Sequence, residues 1–437
     1  MPGNEINSNY DAIIIGAGVI GACTAFEMAK KGYRTLNIDK GPQAGYGSTS
    51  GSCAIIRTYY STTASCALAY EGWFYWSNWA DYLGVTDPEG MITYHNTGNL
   101  VIKTVHNNRM ADVIAMMDEI GCPYEHLTLD QIADWVPGAD TRAYAPAKQA
   151  SADDFGVPTG PAIEGAVRFP RGGYVDDPKL SAHNAQYAAE MQGAHFKFNS
   201  AVTKIRQANG RVCGVTLDDG TQIDAPVVVN VAGPHSSIVN EMAGVLDDMK
   251  ITTRALRHEV AHVPAPSGER LGSVYSDSDI FTYARPATQD HILIGSEDPE
   301  CDEQEWIDNP DEFDRNFSVQ WKTLVMRLGQ RMPGLPIPEQ AKGVVELYDV
   351  TEDWAPIYDK SSLPGFYMAC GTSGNQYKNA PVAGKMMTAL IEACENGQDH
   401  DKDPVVFRLE NVGYDLPLNA FSRNREINQN SSFSVLG

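Results

Sequence analysis

The hexapeptide Gly16-Ala17-Gly18-Val19-Ile20-Gly21 constrains the fold more than any other stretch of this chain. It follows a short β-branched run, Tyr10 to Ile15. It opens a segment, Gly21 to Lys31, in which Ala25, Met28 and Ala29 form a small-residue helical face that stops at Gly32. Arg34 to Asp39 then reads as a second strand. A strand, a G-x-G-x-x-G turn, a helix and a strand ending in an acid are the parts of a dinucleotide-binding βαβ unit. Gly16 permits the tight turn, Gly18 lets a pyrophosphate approach the backbone, and Gly21 lets the helix press on the sheet. The phosphates are expected at the helix's positive end, beside Val19 and Ile20, with Asp39 on the ribose diol and Lys40 next to it.

At 437 residues the chain has room for two or three domains of about 150 residues each. Cofactor signals recur mid-chain and near the C-terminus, which implies one domain assembled from separated pieces. The expected fold class is α/β plus α+β: a Rossmann-like domain from residues 1–94, 161–249 and 346–437, interleaved with an antiparallel-sheet substrate domain from 95–160 and 250–345. The second domain carries helical stretches at Asn108 to Ile120 and Phe317 to Arg331. The polar tail from Ala420 onward is expected to drape over the surface or to be disordered.

Lys and Arg number 33 against 56 Asp and Glu, a net charge of −23. That sign repels nucleic acid and anionic membrane surfaces alike. Eight scattered cysteines, with no C-x-x-C pair and no histidine at ligand spacing, predict reduced thiols and no metal site. The apolar run Ala12 to Cys23 holds three glycines, which suits neither a signal peptide nor a membrane span. The chain is expected to be soluble and cytoplasmic.

Three further segments favour FAD over NAD. Gly47-Ser48-Thr49-Ser50-Gly51-Ser52 supplies small residues and hydroxyls where a second phosphate or a flavin ring can lie. Val227 to Val231 reads as a buried strand ending in Ala232-Gly233, where backbone passes close to something. Gly371-Thr372-Ser373-Gly374 precedes the last helix, about Pro381 to Cys394, whose positive end can face an electron-rich ring.

These segments, with Gly172-Gly173-Tyr174-Val175-Asp176-Asp177-Pro178, resemble the D-amino-acid-oxidase-like FAD amine oxidoreductases, the family of glycine oxidase, monomeric sarcosine oxidase and dimethylglycine dehydrogenase. The resemblance covers most of the chain. It implies a flavin between two domains, and it places a carboxylate-binding arginine at Arg57, a second carboxylate cation at Lys378 and an active-site tyrosine at Tyr348. Gly371, Ser373, Gly374, Asn375, Gln376 and Lys378 are the expected C-terminal contacts with the cofactor. Where some members attach flavin through a histidine this chain has Gly51, and where sarcosine oxidase uses a cysteine it has Glu346, so non-covalent FAD is expected. A lysine that assists oxygen reduction in sarcosine oxidase aligns near Leu293, which leaves oxidase and dehydrogenase both open.

The residues themselves support the clamp. A guanidinium within the apolar run Ile55-Ile56-Arg57-Thr58-Tyr59 needs an anion, either an internal carboxylate or a bound one. Lys378 stands just ahead of a helix, where a cation is disfavoured unless an anion compensates. Arg285 and the pair Arg257-His258 are weaker pocket candidates, and Arg285 is a guess for a second carboxylate. His235 reads as a loop residue, and Trp73-Phe74-Tyr75-Trp76 with Trp79 as core packing. The expected reaction is oxidation of an N-substituted glycine such as sarcosine, dimethylglycine or iminodiacetate, with electrons passed to oxygen or another acceptor. The alternatives are a 2-hydroxy acid or polyol dehydrogenase and a non-catalytic FAD subunit of an electron-transfer complex.

Overall fold

The computed structural model describes residues 10–107, 109–266 and 270–437. Ile13, Ile14 and Val227 to Val229 are buried, and runs this apolar are stable inside a parallel sheet covered on both faces. Ala12–Ile15 accordingly pairs in parallel with Thr35–Ile38 on one side and Val227–Asn230 on the other. From edge to edge the sheet runs Ile357–Lys360, Phe366–Cys370, Val227–Asn230, Ala12–Ile15, Thr35–Ile38 and His195–Lys197, with only the first strand antiparallel. One face carries the helices Val19–Lys30, Pro178–Met191 and Ala380–Glu395. The other packs on a three-stranded sheet, Val202–Ala208, Arg211–Leu217 and Gln222–Asp224, and on the helix Ser236–Ala243. This is the Rossmann-like half of the expected fold.

The second half is a larger, mixed sheet. Its order is Glu305–Ile307, Arg254–Pro264, His291–Ser296, Thr282–Ala287, Val274–Asp277, Asn99–Ile102, Ala166–Phe169 and Glu125–Leu127, and Gly343–Val350 also pairs with Arg254–Pro264. All its pairings are antiparallel except Val274–Asp277 with Asn99–Ile102. Its own core lies under the helix Val319–Arg331, whose Arg327 and Arg331 are buried against Asp302, Asp277 and Asp279. Residues 166–169 and 346–350, which the sequence assigns to the nucleotide-binding part, are strands of this larger sheet. The helix expected from Asn108 runs Met110–Ile120, and Asn108 itself lies outside the described residues. Among the described residues no helix is long and apolar enough to cross a membrane.

The C-terminal segment departs from expectation. It is neither draped nor disordered, because its two arginines are directed inward onto acids, of which Asp359 and Asp353 are buried. Arg423 pairs with Asp248, Asp359 and Asp401, and Arg425 pairs with Asp353. Val435 is buried. The aromatic stretch is core, as expected. Trp76, on the helix Thr63–Ser77, stacks on Trp79 at 4.4 Å and on Tyr377 at 5.0 Å.

Candidate active site

A cavity of about 1250 Å³ begins at the C-terminal ends of the central parallel strands and continues to the larger sheet. It exceeds the roughly 300–1000 Å³ of an ordinary small-molecule pocket, as a dinucleotide plus a substrate would require. At its first end Gly16 has φ +119°, and a Cβ there would lie 2.4 Å from the carbonyl oxygen of Val231. Gly18 caps the helix Val19–Lys30 with no side-chain cap and no acid in the first turn, so the positive helix end faces the cavity without a resident anion. Thr49 Oγ1 accepts from the Val19 N–H at 3.1 Å, which ties the second glycine-rich loop to this turn.

Asp39 also lines the cavity, but both its oxygens already serve the loop. Oδ2 accepts from Ala17 N–H and Oδ1 from Gly41 N–H, each at 2.7 Å. A carboxylate has about four acceptor sites, so lone pairs remain for a ribose. Lys40 contacts His235 Nε2 at 2.8 Å and the Asp311 carboxylate, so His235 joins two cavity-lining loops. Ser200, Ala201 and Val202 complete this end and carry no recognisable sequence motif.

Further in, Gly47, Ser48, Thr49, Ser50 and Ser52 form one wall, and Ala232, Gly233, Gly374, Asn375 and Gln376 another. Ser48 Oγ donates to Leu347 O at 2.8 Å. A Cβ on Gly51 would lie 2.5 Å from Glu346 Cγ, so the loop and the larger sheet touch there with no room for a side chain. Gly371 and Ser373, expected on the cofactor, stand behind this wall. Their amides donate to Asp349, Gly371 to Oδ2 at 2.7 Å and Ser373 to the backbone oxygen at 2.9 Å. Asp349, whose buried carboxyl is pushed up by desolvation, anchors the turn through that carboxyl at Gly371 and Thr372 and through its backbone oxygen at Ser373.

Arg57, Lys378 and Tyr348 all line the inner end. Arg57 and Lys378 are 5% and 3% exposed. Arg57 donates from Nη1 to Tyr59 O at 2.9 Å and from Nη2 to Val435 O at 2.9 Å and Leu436 O at 2.7 Å. Lys378 Nζ donates to Tyr60 Oη at 2.8 Å and Asn375 O at 2.6 Å. The Tyr60 ring lies 4.1 Å from the Arg57 guanidinium and 5.3 Å from Lys378 Nζ, bridging the two cations. Burial pushes its hydroxyl up to about 12. Trp76 Nε1 donates to the Lys378 carbonyl at 2.8 Å, so the aromatic helix fixes the lysine's backbone.

What these cations lack is an anion. Among the described residues, the buried arginines 257, 327, 331 and 423 each meet a carboxylate. Arg57 and Lys378 meet only carbonyls, a hydroxyl and aromatic faces. Arg285 is also without a carboxylate. Its Nε donates to Cys53 O at 2.6 Å, its guanidinium sits 4.5 Å over Tyr174, and it lies behind the cavity wall.

Tyr348 packs where Gly374 lacks a side chain, and it stacks on His258 at 4.2 Å. Its hydroxyl faces that of Tyr283 at 3.5 Å. His258 Nε2 is 3.3 Å from Asp298 Oδ1. Burial holds the imidazole down to about 4 and pushes the Asp298 carboxyl up to about 7. Arg257 pairs with Glu259 and is structural. Leu293 packs beside Tyr283 and Tyr348.

Burial first, and Arg57 second, draw Lys378 well below its ordinary 10.5. Between the depressed value and 10.5 the folded chain binds fewer protons than the unfolded one, so through this window Lys378 makes stability rise with pH. A bound carboxylate favours the ammonium form and reverses the shift. Acetate binding above neutral pH is therefore expected to take up as much as one proton per site. Calorimetry in buffers of different protonation enthalpy reads it. The uptake should vanish in Lys378→Met, and equal heats in all buffers for the unaltered protein would remove Lys378 from the clamp.

The comparisons with known proteins agree with this geometry. Sarcosine oxidase subunit beta of Rhodobacter capsulatus is 23% identical over 402 residues, covering 89% of this chain and 86% of that protein. Glycine oxidase of Geobacillus kaustophilus is 26% identical over 404 residues, covering 89% and 95%. Its crystal structure superposes with a TM-score of 0.72 over 97% of this chain and 100% of that one, at 22% identity. L-proline dehydrogenase from P. horikoshii superposes with a TM-score of 0.74 at 19% identity, over 96% and 98%. Residues 11–390 match the family model described as FAD dependent oxidoreductase. The glycine cradle, the loop threaded to it through Thr49 and the cavity long enough for a dinucleotide thus have their explanation: the chain belongs to the FAD dependent oxidoreductase family and is an enzyme of its sarcosine and glycine oxidase type.

Proposed function

We propose that this enzyme oxidises the C–N bond of an N-substituted glycine to an imine that water hydrolyses to an amine and a carbonyl compound. The observation that carries the reading is the pair Arg57 and Lys378, buried on one cavity and without a carboxylate. Burial of two basic side chains beside one ring, with only neutral acceptors of the protein around them, leaves a site that an anion would complete. FAD bound in the cavity supplies the acceptor for a hydride equivalent.

The chain's own residues do the rest. Arg57 and Lys378 hold the substrate carboxylate and thereby fix the orientation of the carbon to be oxidised. Tyr348, Tyr283 and His258 wall the inner end, and the neutral form of His258 there adds no charge against the substrate amine. The apolar enclosure favours the unprotonated amine, whose nitrogen lone pair becomes the second C–N bond as the hydride leaves. No protein base is needed for that step. FAD is held without a covalent bond in this reading, supported by Gly51 and Glu346 at the two positions where the resemblance would put an attaching histidine or cysteine. Arg285, the candidate for a second carboxylate, is not among the residues that line the cavity. Sarcosine and dimethylglycine therefore fit better than iminodiacetate.

The test is anaerobic bleaching of the flavin by a panel of N-substituted glycines, primary amino acids and 2-hydroxy acids, followed by admission of air. Bleaching by sarcosine or dimethylglycine is expected, weaker at high salt because the clamp is electrostatic. Peroxide on reoxidation would identify oxygen as acceptor. Bleaching by hydroxy acids alone would overturn the proposal.

A further inference from the structure

A guanidinium offers a carboxylate two edges, Nε with Nη2 or Nη1 with Nη2, each presenting two parallel N–H groups. Both edges use an Nη2 hydrogen. In this structure both Nη2 bonds of Arg57 go to the carbonyls of Val435 and Leu436, at 2.9 and 2.7 Å. The same dipeptide is held from its other side, where Val435 N–H donates to Asp298 Oδ2 at 3.2 Å. Both residues line the cavity. A stretch of backbone thus has its amide on a carboxylate and its carbonyls on a guanidinium, the polar pattern of an amino-acid ligand.

The segment is part buried and part exposed, with Ser431, Ser434, Val435 and Gly437 buried. Upstream it is anchored by Arg425 on Asp353 and by Asn428 Nδ2 on Ser61 Oγ at 2.9 Å. Beyond that anchor Gln429, Asn430, Ser432 and Phe433 are exposed, and Phe433 has φ +49°, the left-handed region that a bulky residue rarely adopts. Most polar contacts after Ser431 are internal: Ser432 Oγ with Ser434 Oγ, Leu436 N–H to Ser434 Oγ and Gly437 N–H to Ser434 O. Apart from Arg57 and Asp298, the body holds this stretch by the Arg109 contact to Asn430 O, the packing of Val435 beside Cys53 and Tyr283, and Gly437 against the Tyr60 ring.

We propose that residues 431–437 form an internal strap that occupies the Arg57 edge of the carboxylate clamp and is displaced when substrate binds. The proposal rests on the reading of Arg57 as the carboxylate site. A carboxylate brings a full negative charge and two acceptors matched to the guanidinium fork, which the two neutral carbonyls do not, so the ligand can win the exchange. The strap sets the affinity threshold, because only the fraction of molecules with the strap released presents a complete fork.

Acetate is the probe, since it tests the clamp alone. In the FAD-loaded protein, saturating acetate is expected to speed hydrogen exchange at the Val435 amide, which the body holds through Asp298, at least about five-fold. In a variant lacking residues 431–437, the acetate Kd is expected to fall about ten-fold, as a strap open in roughly a tenth of molecules would give. Unchanged exchange at saturating acetate, or a deletion variant that binds acetate equally or more weakly, overturns the strap. If the deletion variant fails to fold, the exchange experiment on the unaltered protein decides. Arg57→Ala separates the two ideas. Acetate binding lost in Arg57→Ala but insensitive to the strap overturns only the strap, whereas acetate binding indifferent to Arg57→Ala overturns the carboxylate reading as well.

Discussion

Arg57→Ala is expected to lower kcat/KM for an N-substituted glycine on the order of a hundred-fold, most of it in KM. The lost interaction is a buried, charge-assisted fork worth about 3 kcal/mol, and about 1.4 kcal/mol is a factor of ten. Three carbonyls, of Tyr59, Val435 and Leu436, lose a donor at the same time. They border the cavity, where water can replace the guanidinium, so the fold should survive with its flavin. Arg57→Lys keeps the charge but not the fork and is expected to fall between the two. Steady-state kinetics with sarcosine and dimethylglycine, with flavin content as a folding control, read the result. Unchanged kinetics in Arg57→Ala at full flavin loading would take the residue out of the site.

The nucleotide-binding half was legible because its signals are local. Gly16 to Gly21, Ala25, Met28 and Asp39 lie within one βαβ unit, and each residue type has a mechanical reason within a few positions of its neighbours. The helix Ala380–Glu395 announced itself by an apolar run that follows the glycine turn 371–374. The larger sheet was much less legible. Arg254–Pro264 carries Arg257, His258 and Glu259 in its middle, a charged run with no core pattern, yet Arg257 and Glu259 are buried because they neutralise one another at 2.9 Å. That pairing and the strand's partners around residues 291–296 and 343–350 are long-range facts, invisible to periodicity.

The same division runs through the site. Arg57, Lys378 and Tyr348 converge on one cavity from positions far apart in the chain, and only the family resemblance joined them beforehand. Tyr60 directly follows the run Ile55 to Tyr59, but its bridging role depends on where Lys378 arrives. Gly371 and Ser373 were misplaced because a turn's residues alternate in direction, and the anchor that decides which face the cavity, Asp349, lies about twenty residues upstream on another strand. Val435 and Leu436 gave no signal at all, since a backbone carbonyl has no side-chain code.

Gly18→Ala and Gly16→Ala are expected to fail in different ways, and the difference tests the nucleotide cradle directly. Gly18 has φ −66° and ψ 177°, open to any residue, and its added methyl would meet only Thr49 Oγ1 at 3.1 Å. The Thr49 oxygen must give by a few tenths of an ångström and strains its bond from the Val19 N–H, so the apoprotein should lose about 1 kcal/mol. If a pyrophosphate passes over this turn, the same methyl stands against it and should cost about 2 kcal/mol of FAD affinity, roughly a thirty-fold rise in Kd. Gly16 is different. At φ +119° any side chain is strained by about 1–3 kcal/mol, and a Cβ 2.4 Å from Val231 O forces apart two paired strands at a cost of similar size. Gly16→Ala should therefore destabilise the fold itself as well as empty it of flavin. Denaturant unfolding of the apoproteins and FAD titration followed by flavin fluorescence make both measurements. Full flavin affinity in Gly18→Ala would mean that no phosphate lies over this turn, whatever the fold around it resembles.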